Sequence, residues 1–217
     1  MKLFLIRHAQ STNNYLAEHV KMEDYLTERE PEPPLTELGQ RQAQRVAQHL
    51  ASDSHPETAH DKGVDGQRGY GFTRLYCSPM LRTLQTTQPI SQALGLQPQI
   101  WVDIHEHGGI FHGDPQKGPV AECFGLARQE IVELFPDYQL PAEITEKGWW
   151  AGGYEEMDVC NQRAQGVADQ LRAWASTLPD ERIALVAHGT FIDSLIKAIL
   201  KQDFAVEPTR FTAYDHT

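Results

Sequence analysis

Lys2-Leu3-Phe4-Leu5-Ile6-Arg7-His8 is the stretch whose reading decides the fold. A short apolar run bounded by charge reads as a strand buried on both faces, as parallel strands are. A charged pair at the end of such a strand is expensive unless something needs it. The pattern returns far downstream, where Ile183-Ala184-Leu185-Val186-Ala187 runs straight into His188-Gly189. Ligands of open α/β sheets bind in the crevice beyond the carboxyl ends of the strands, so two strands hand a histidine to the same place. Between them Leu75-Tyr76-Cys77 runs into Ser78-Pro79, and Arg82 follows in the first turn of a helix. Arg7, His8, Arg82 and His188 are therefore expected to converge. Arginine forks match phosphate oxygens and histidine serves as nucleophile, acid or charge, so such a pocket suits a phosphoryl group.

Working outward, strand signals at about 2–6, 74–77, 99–102 and 182–187 alternate with helical patterns at about 37–52, 80–94, 120–135, 158–176 and 190–201. That alternation predicts an α/β fold, a three-layer α/β/α sandwich with a mainly parallel sheet. In the fourth helical pattern Val159, Val167, Ala168, Leu171 and Trp174 keep a helical spacing, so one stripe faces the sheet. Thr36 is a suitable N-cap for the first, Gly39 a small destabilisation inside it, and Pro89 is expected to kink or interrupt the second. Residues 52–72, rich in Asp, His and Gly and without periodicity, read as a long exposed loop. Residues 103–157 hold Gly108-Gly109, Gly113, Pro115, Gly118-Pro119, a helix and Trp149-Trp150-Ala151-Gly152-Gly153-Tyr154, too much chain for a simple crossover. A last strand-like segment covers Thr209–Tyr214.

With 217 residues the chain has room for one sizeable core and is short for two, so one domain is expected. No apolar run approaches the ~18 residues of a membrane span. The sequence begins on a strand, with no basic segment and long apolar stretch ahead of it, so a cytoplasmic protein is expected. Cys77, Cys123 and Cys160 have no short paired spacing, which argues against a disulfide framework and a structural zinc site. The formal net charge of −11, with no basic cluster, argues against nucleic acid or an acidic membrane as partner. A locally cationic pocket still admits a small phosphorylated substrate.

Arg7-His8 with Asn14 following, Leu35-Thr36-Glu37-Leu38-Gly39-Gln40, Ser78-Pro79-Met80-Leu81-Arg82-Thr83, Glu106 and Ala187-His188-Gly189 resemble, in this order, the histidine phosphatase superfamily, also called phosphoglycerate mutase-like. One departure lies at the signature itself, where the family has Arg-His-Gly and this chain has Ala9. The resemblance implies a cap-like insertion at 103–157 over the C-terminal ends of the strands, where substrate selection would reside. It also implies phosphomonoester hydrolysis without metal or cofactor. His8 would attack phosphorus, Arg7, Arg82 and His188 would hold the phosphoryl oxygens, His188 best as a cation, and Asn14 and Gly189 would add neutral donors. Glu106 would protonate the departing oxygen and later take a proton from water.

Other readings stay open at this point. His188 could be a core histidine bonded to backbone, and Asn14 could only brace its own turn. Glu155 and Glu156 compete with Glu106 for the acid role, though their position suits the N-terminus of the helix from Asp158. Cys77 has four residues before Arg82, one fewer than a cysteine-phosphatase loop needs. His105, His107 and His112, with Asp103, Glu106 and Asp114 nearby, could bind a metal for hydrolysis. Phosphoglycerate mutase-type transfer is the other alternative. The family's mutases carry adjacent arginines in the insertion, and none occur here among Lys117, Arg128 and Lys147, which favours water as acceptor.

Overall fold

A computed structural model describes residues 1–52, 70–150 and 152–201. Strands β1 (Lys2–Arg7), β2 (Arg74–Cys77), β3 (Pro98–Ile100) and, after a small antiparallel pair β4 (Phe111–His112) and β5 (Ala121–Glu122), β6 (Arg182–Ala187) make up the sheets. The main sheet runs in the order β1-β6-β2-β3, parallel throughout. Helices α1 (Thr12–His19), α2 (Met22–Glu28), α3 (Glu37–Leu50), α4 (Leu81–Leu94), α5 (Arg128–Leu134), α6 (Met157–Thr177) and α7 (Gly189–Leu200) complete the described elements. Leu3, Leu5, Tyr76, Ile183, Leu185 and Ala187 point to a cluster with Val167, Leu171, Phe191 and Leu195 of α6 and α7. The alternate residues Phe4, Ile6, Leu75, Cys77, Ala184 and Val186 point to one with Ala47, Leu50, Leu84 and Ile90 of α3 and α4. Helices cover both faces, which is why the strands read as unbroken apolar runs.

Register positions the site. Arg7 pairs with Ala187, so the next residue of each strand, His8 and His188, leaves the sheet at one level. A slip of one residue would turn every side chain of β1 to the other face, so the two cores lock the two histidines together.

Several expectations need correction. Residues 120–135 are not one helix: 121–122 pair as β5, and helix begins only at Arg128. The cause is Gly125, at φ 72, where a Cβ would fall 2.3 Å from Trp149 Nε1, so a left-handed residue fits closely under a tryptophan and breaks the helix. Pro89 does not interrupt α4, which runs to Gly95; burial of Leu84, Thr86, Thr87 and Ile90 around it holds the one turn that lacks a donor. β3 ends at Ile100 and a 3-10 turn covers Val102–Ile104. Gly39 is required for packing, because a Cβ there would stand 2.0 Å from the Gln10 carbonyl oxygen. Ala9 needs no glycine: Lys201 is the one described non-glycine residue with positive φ. The loop expected at 52–72 lies, for 53–69, outside the described residues, as does the segment Thr209–Tyr214.

Candidate active site

His8 continues the ladder of β1, its backbone N–H donating to the Ala187 carbonyl at 3.0 Å. The side chain is buried, with Nδ1 2.7 Å from the Ala9 carbonyl oxygen. A carbonyl only accepts, so Nδ1 carries the proton. Arg82 donates its Nε–H to His8 Nε2 at 3.2 Å, which requires a lone pair there. Two separate partners therefore fix the same tautomer. Burial first, and the Arg82 charge second, hold the His8 pKa well below the ordinary histidine value, so the ring rests neutral.

His188 leaves the neighbouring strand with its ring centroid 5.1 Å from that of His8. It is fully buried, Nε2 lies 2.8 Å from Ser78 Oγ, and Nδ1 has no hydrogen-bond partner. Burial, followed by the Arg82 charge, pushes its pKa well down. The ring is thus neutral at rest, and the cationic form in which it would best hold phosphoryl oxygens is disfavoured in the empty pocket. Arg7 is exposed and lies against Gly189, whose Cβ would sit 3.5 Å from Arg7 Nε. Gly189 opens α7, where the first N–H groups are left without helical partners.

Glu106 follows the 3-10 turn and docks on that same helix end. Its Oε1 accepts from the backbone N–H of His107 (2.9 Å) and Phe191 (3.0 Å), and Oε2 from that of Thr190 (3.3 Å). Helix N-termini favour anions, so the fold itself holds this carboxylate two residues from His188. Asn14 completes a capping box: its Oδ1 accepts from the Ser11 N–H and Oγ, and its own N–H donates to Ser11 Oγ. Its amide nitrogen is not used in the cap.

The family model for the histidine phosphatase superfamily (branch 1) matches residues 3–60 and 65–213. The chain belongs to that superfamily. Phosphoserine phosphatase 1 of Hydrogenobacter thermophilus is 26% identical over 208 residues, 94% of this chain and 79% of that protein. A PE-PGRS family protein of Mycobacterium tuberculosis is 37% identical over 90 residues, 41% of this chain but 13% of that protein's length. Among solved structures, an ecdysone phosphate phosphatase of Bombix mori in complex with tungstate superposes with TM-score 0.55 at 15% identity, covering 99% of this chain and 83% of that one. At that identity the likeness concerns the fold.

This histidine phosphatase carries groups that the sequence patterns did not single out. Glu32 accepts the Leu81 N–H at 2.8 Å, so a distant carboxyl group caps α4, whose N-cap residue Met80 has no side-chain oxygen to offer. Of the charges near Arg82 it does most to offset the burial of the guanidinium. Burial pushes the Glu32 pKa up to about 7 against the Leu81 bond and the Arg82 charge. Glu155 does not serve the end of α6; it takes both ends of the Arg163 fork, at 2.9 and 2.6 Å. Burial alone would raise its pKa, but the nearby His105 ring and the hydrogen-bonded Arg163 fork bring it to about 2.

The three insertion histidines point apart. His105 is buried with Nδ1 2.7 Å from the Val102 carbonyl and Nε2 3.5 Å from Glu155. His107 Nε2 stands 3.3 Å from the Tyr154 hydroxyl, and His112 is exposed on β4. Among the described residues no three His, Cys, Asp or Glu side chains gather as metal ligands. Burial pushes the Cys77 thiol far up, so it is an inert core residue.

Proposed function

We propose that the protein hydrolyses small phosphate monoesters, without a metal, through a phosphohistidine on His8. The observation that carries this reading is the fixed tautomer of His8, with its lone pair on Nε2 beside the Arg82 fork. Nε2 attacks phosphorus in line, the N–P bond forms, and the bond to the ester oxygen breaks. Arg7, Arg82 and His188 compensate the charge on the equatorial oxygens, and a phosphoryl dianion near His188 Nδ1 favours protonation of that ring. Asn14, through its amide nitrogen, and Gly189, through its N–H, add neutral donors.

Glu106 gives the leaving oxygen its proton. Oε2 is the atom suited to carry it, since it accepts one long bond while Oε1 accepts two shorter ones. The resulting carboxylate takes a proton from water, which attacks phosphorus, releases orthophosphate and restores neutral His8. Hydrolysis rather than transfer is supported by the activity for which the relative from Hydrogenobacter thermophilus is named. A cytoplasmic setting is supported by three cysteines that remain free thiols.

The test is to trap the intermediate. Brief reaction with a phosphate-labelled aryl ester in the presence of chelator, quenched in base, is expected to leave an acid-labile, base-stable label on the peptide carrying His8. His8→Ala should abolish the label together with turnover. Label on another residue, or activity lost to chelator and restored by a divalent metal, would overturn the reading.

A further inference from the structure

Ser78 follows β2 as His8 follows β1 and His188 follows β6. Arg7 pairs with Ala187 and Cys77 with Val186, and the Ser78 N–H carries the ladder on to the Val186 carbonyl at 3.1 Å, so three neighbouring strands end within one residue of a common level. The Thr83 hydroxyl donates to the Ser78 carbonyl at 2.9 Å, and Pro79, next in the chain, restricts Ser78 to an extended backbone. The Ser78 side chain is fully buried. Among the described residues its hydroxyl has two partners, the Met80 N–H at 3.4 Å and His188 Nε2 at 2.8 Å. An amide can only donate, so the hydroxyl proton goes to Nε2, which must carry a lone pair. A neutral imidazole with its lone pair on Nε2 has its proton on Nδ1.

A second observation points the same way. His188 is the N-cap residue of α7, where a side-chain acceptor would be taken up by the first free N–H groups of the helix. Its ring accepts none of them, and those of Thr190 and Phe191 go to Glu106 instead. Nδ1 is buried with no hydrogen-bond partner. A lone pair there would stand beside free donors, whereas an N–H there needs an acceptor, and the acceptor that phosphoryl chemistry brings is a phosphoryl oxygen. His8 makes the instructive contrast. Its Nδ1–H is spent on the Ala9 carbonyl and its Nε2 lone pair stands beside Arg82, with the two rings 5.1 Å apart. One tautomer is thus turned in opposite senses: His8 presents a lone pair and His188 presents a proton.

We propose that Ser78 is a positioning residue whose hydroxyl occupies the Nε2 lone pair of His188, making His188 an N–H donor to the phosphoryl group through Nδ1 and leaving His8 as the nucleophile of the pair. This rests on the phosphomonoesterase reading for the identity of the anion. The hydrogen bond made by one ring nitrogen sets what the other presents. Without the hydroxyl the two neutral tautomers compete, and in one of them Nδ1 turns a lone pair towards negative oxygens. A proton that a phosphoryl dianion draws on to the ring enters at Nε2, the hydroxyl turns to accept it, and Nδ1 stays the donor. A donor aimed before the reaction costs no reorganisation during it.

The experiment reads the tautomer before the rate. Nitrogen–proton correlation NMR of the imidazole rings in the wild-type protein, with each ring assigned through its own Cβ, is expected to show Nδ1 protonated and Nε2 bare in both His8 and His188. Ser78→Ala should leave the His8 pattern unchanged, since Ala9 and Arg82 fix it, and give His188 a mixture of tautomers. In that variant kcat/KM should fall about tenfold or more for aryl and alkyl esters alike, and orthophosphate should bind more weakly by a similar factor. Ser78→Thr, which keeps the hydroxyl, should restore the His188 tautomer and most of the rate. A wild-type His188 with its proton on Nε2 overturns the proposal whether or not any variant folds. A slower Ser78→Ala variant with the His188 tautomer unchanged, or with His8 equally disturbed, overturns it as well, since Ser78 would then act through packing of the strand ends. The expected tautomers without hydrolysis of any ester leave the Ser78 to His188 bond standing and remove the phosphomonoesterase reading instead.

Discussion

His8 and His188 are held by two parallel strands paired residue by residue, whereas Glu106, Phe111 and Tyr154 belong to a segment outside that ladder. The first rim of the pocket has the backbone ladder of β1 and β6 behind it, with apolar clusters on both faces. The second is packed into the core through Ile110 and Trp149, docked on α7 through Glu106, and tied to α6 by one arginine. Arg163 donates to the carbonyls of Asp103 (2.7 Å) and His105 (3.0 Å) and to both oxygens of Glu155, so a single guanidinium staples the start and the end of the insertion to the same helix. The contrast separates two tasks. On the proposed reading, phosphoryl chemistry belongs to the part whose geometry is over-determined, and leaving-group contacts belong to a part that can change without unfolding the sheet.

The sharpest way to break that contrast is Arg163→Ala. It leaves the Glu155 carboxylate buried with only His105 Nε2 at 3.5 Å beside it, and loss of one partner of a buried pair costs about 3–5 kcal/mol. Chemical unfolding should show a loss of that size; a change below about 1 kcal/mol would mean the insertion is fastened elsewhere. The pH dependence has a fixed sign. Glu155 goes from an ordinary carboxyl pKa of 4.5 to about 2 in the folded protein. Its stabilisation is therefore complete above pH 4.5 and is lost as pH falls from there through 2, because the unfolded chain takes up the proton first. Glu155→Gln should remove that part of the acid sensitivity.

Arg82→Gln probes the other rim. Single electrostatic groups of this kind contribute about 10²–10³-fold to rate, and kcat/KM should fall by that factor. The fall should be the same for carboxylate-bearing and neutral esters. Arg82→Lys keeps the charge and loses the fork, so an intermediate value is expected. A loss that depended on the leaving group would place Arg82 on both rims and dissolve the distinction.

The same division governs what could be read from the sequence. Ile183 to Ala187 running into His188 is a local pattern, and a buried parallel strand leaves almost no other reading, so the meeting of His8 and His188 was legible. Glu106 was legible by position, but its docking on α7 depends on two N–H groups some 85 residues away in sequence. Glu32 carries no periodic signal, since its significance comes from Leu81, far along the chain. At α1 the reading of Asn14 as bracing its own turn describes part of what it does, since Ser11 and Asn14 form a capping pair with both bonds present. The helix expected over 120–135 failed because Gly125 takes its conformation from Trp149, a contact that no window of sequence contains.

The smallest effect expected is also the one that tests whether the two rims share a titrating group. Glu32 joins the α2–α3 connection to the first turn of α4, and its carboxyl is raised from 4.5 to about 7. Between those values the unfolded chain releases the proton that the folded protein keeps, so stability declines as pH rises from 4.5 and levels off above 7. At about 1.4 kcal/mol per unit the ceiling on this decline is about 3 kcal/mol. His8 and His188 act in the opposite sense below their ordinary value of 6.5, because unfolded imidazoles take up protons that the buried ones refuse. The informative quantity is therefore the difference between wild type and Glu32→Gln, in which the histidine contributions cancel. The amide can still accept the Leu81 N–H, so the variant keeps the cap and loses only the titration. Urea unfolding of both proteins from pH 4.5 to 8 should give a difference that grows in favour of the variant up to pH 7 and is flat beyond. A difference that does not vary with pH over this range would mean that Glu32 is ionised throughout, with Arg82 rather than burial setting its charge.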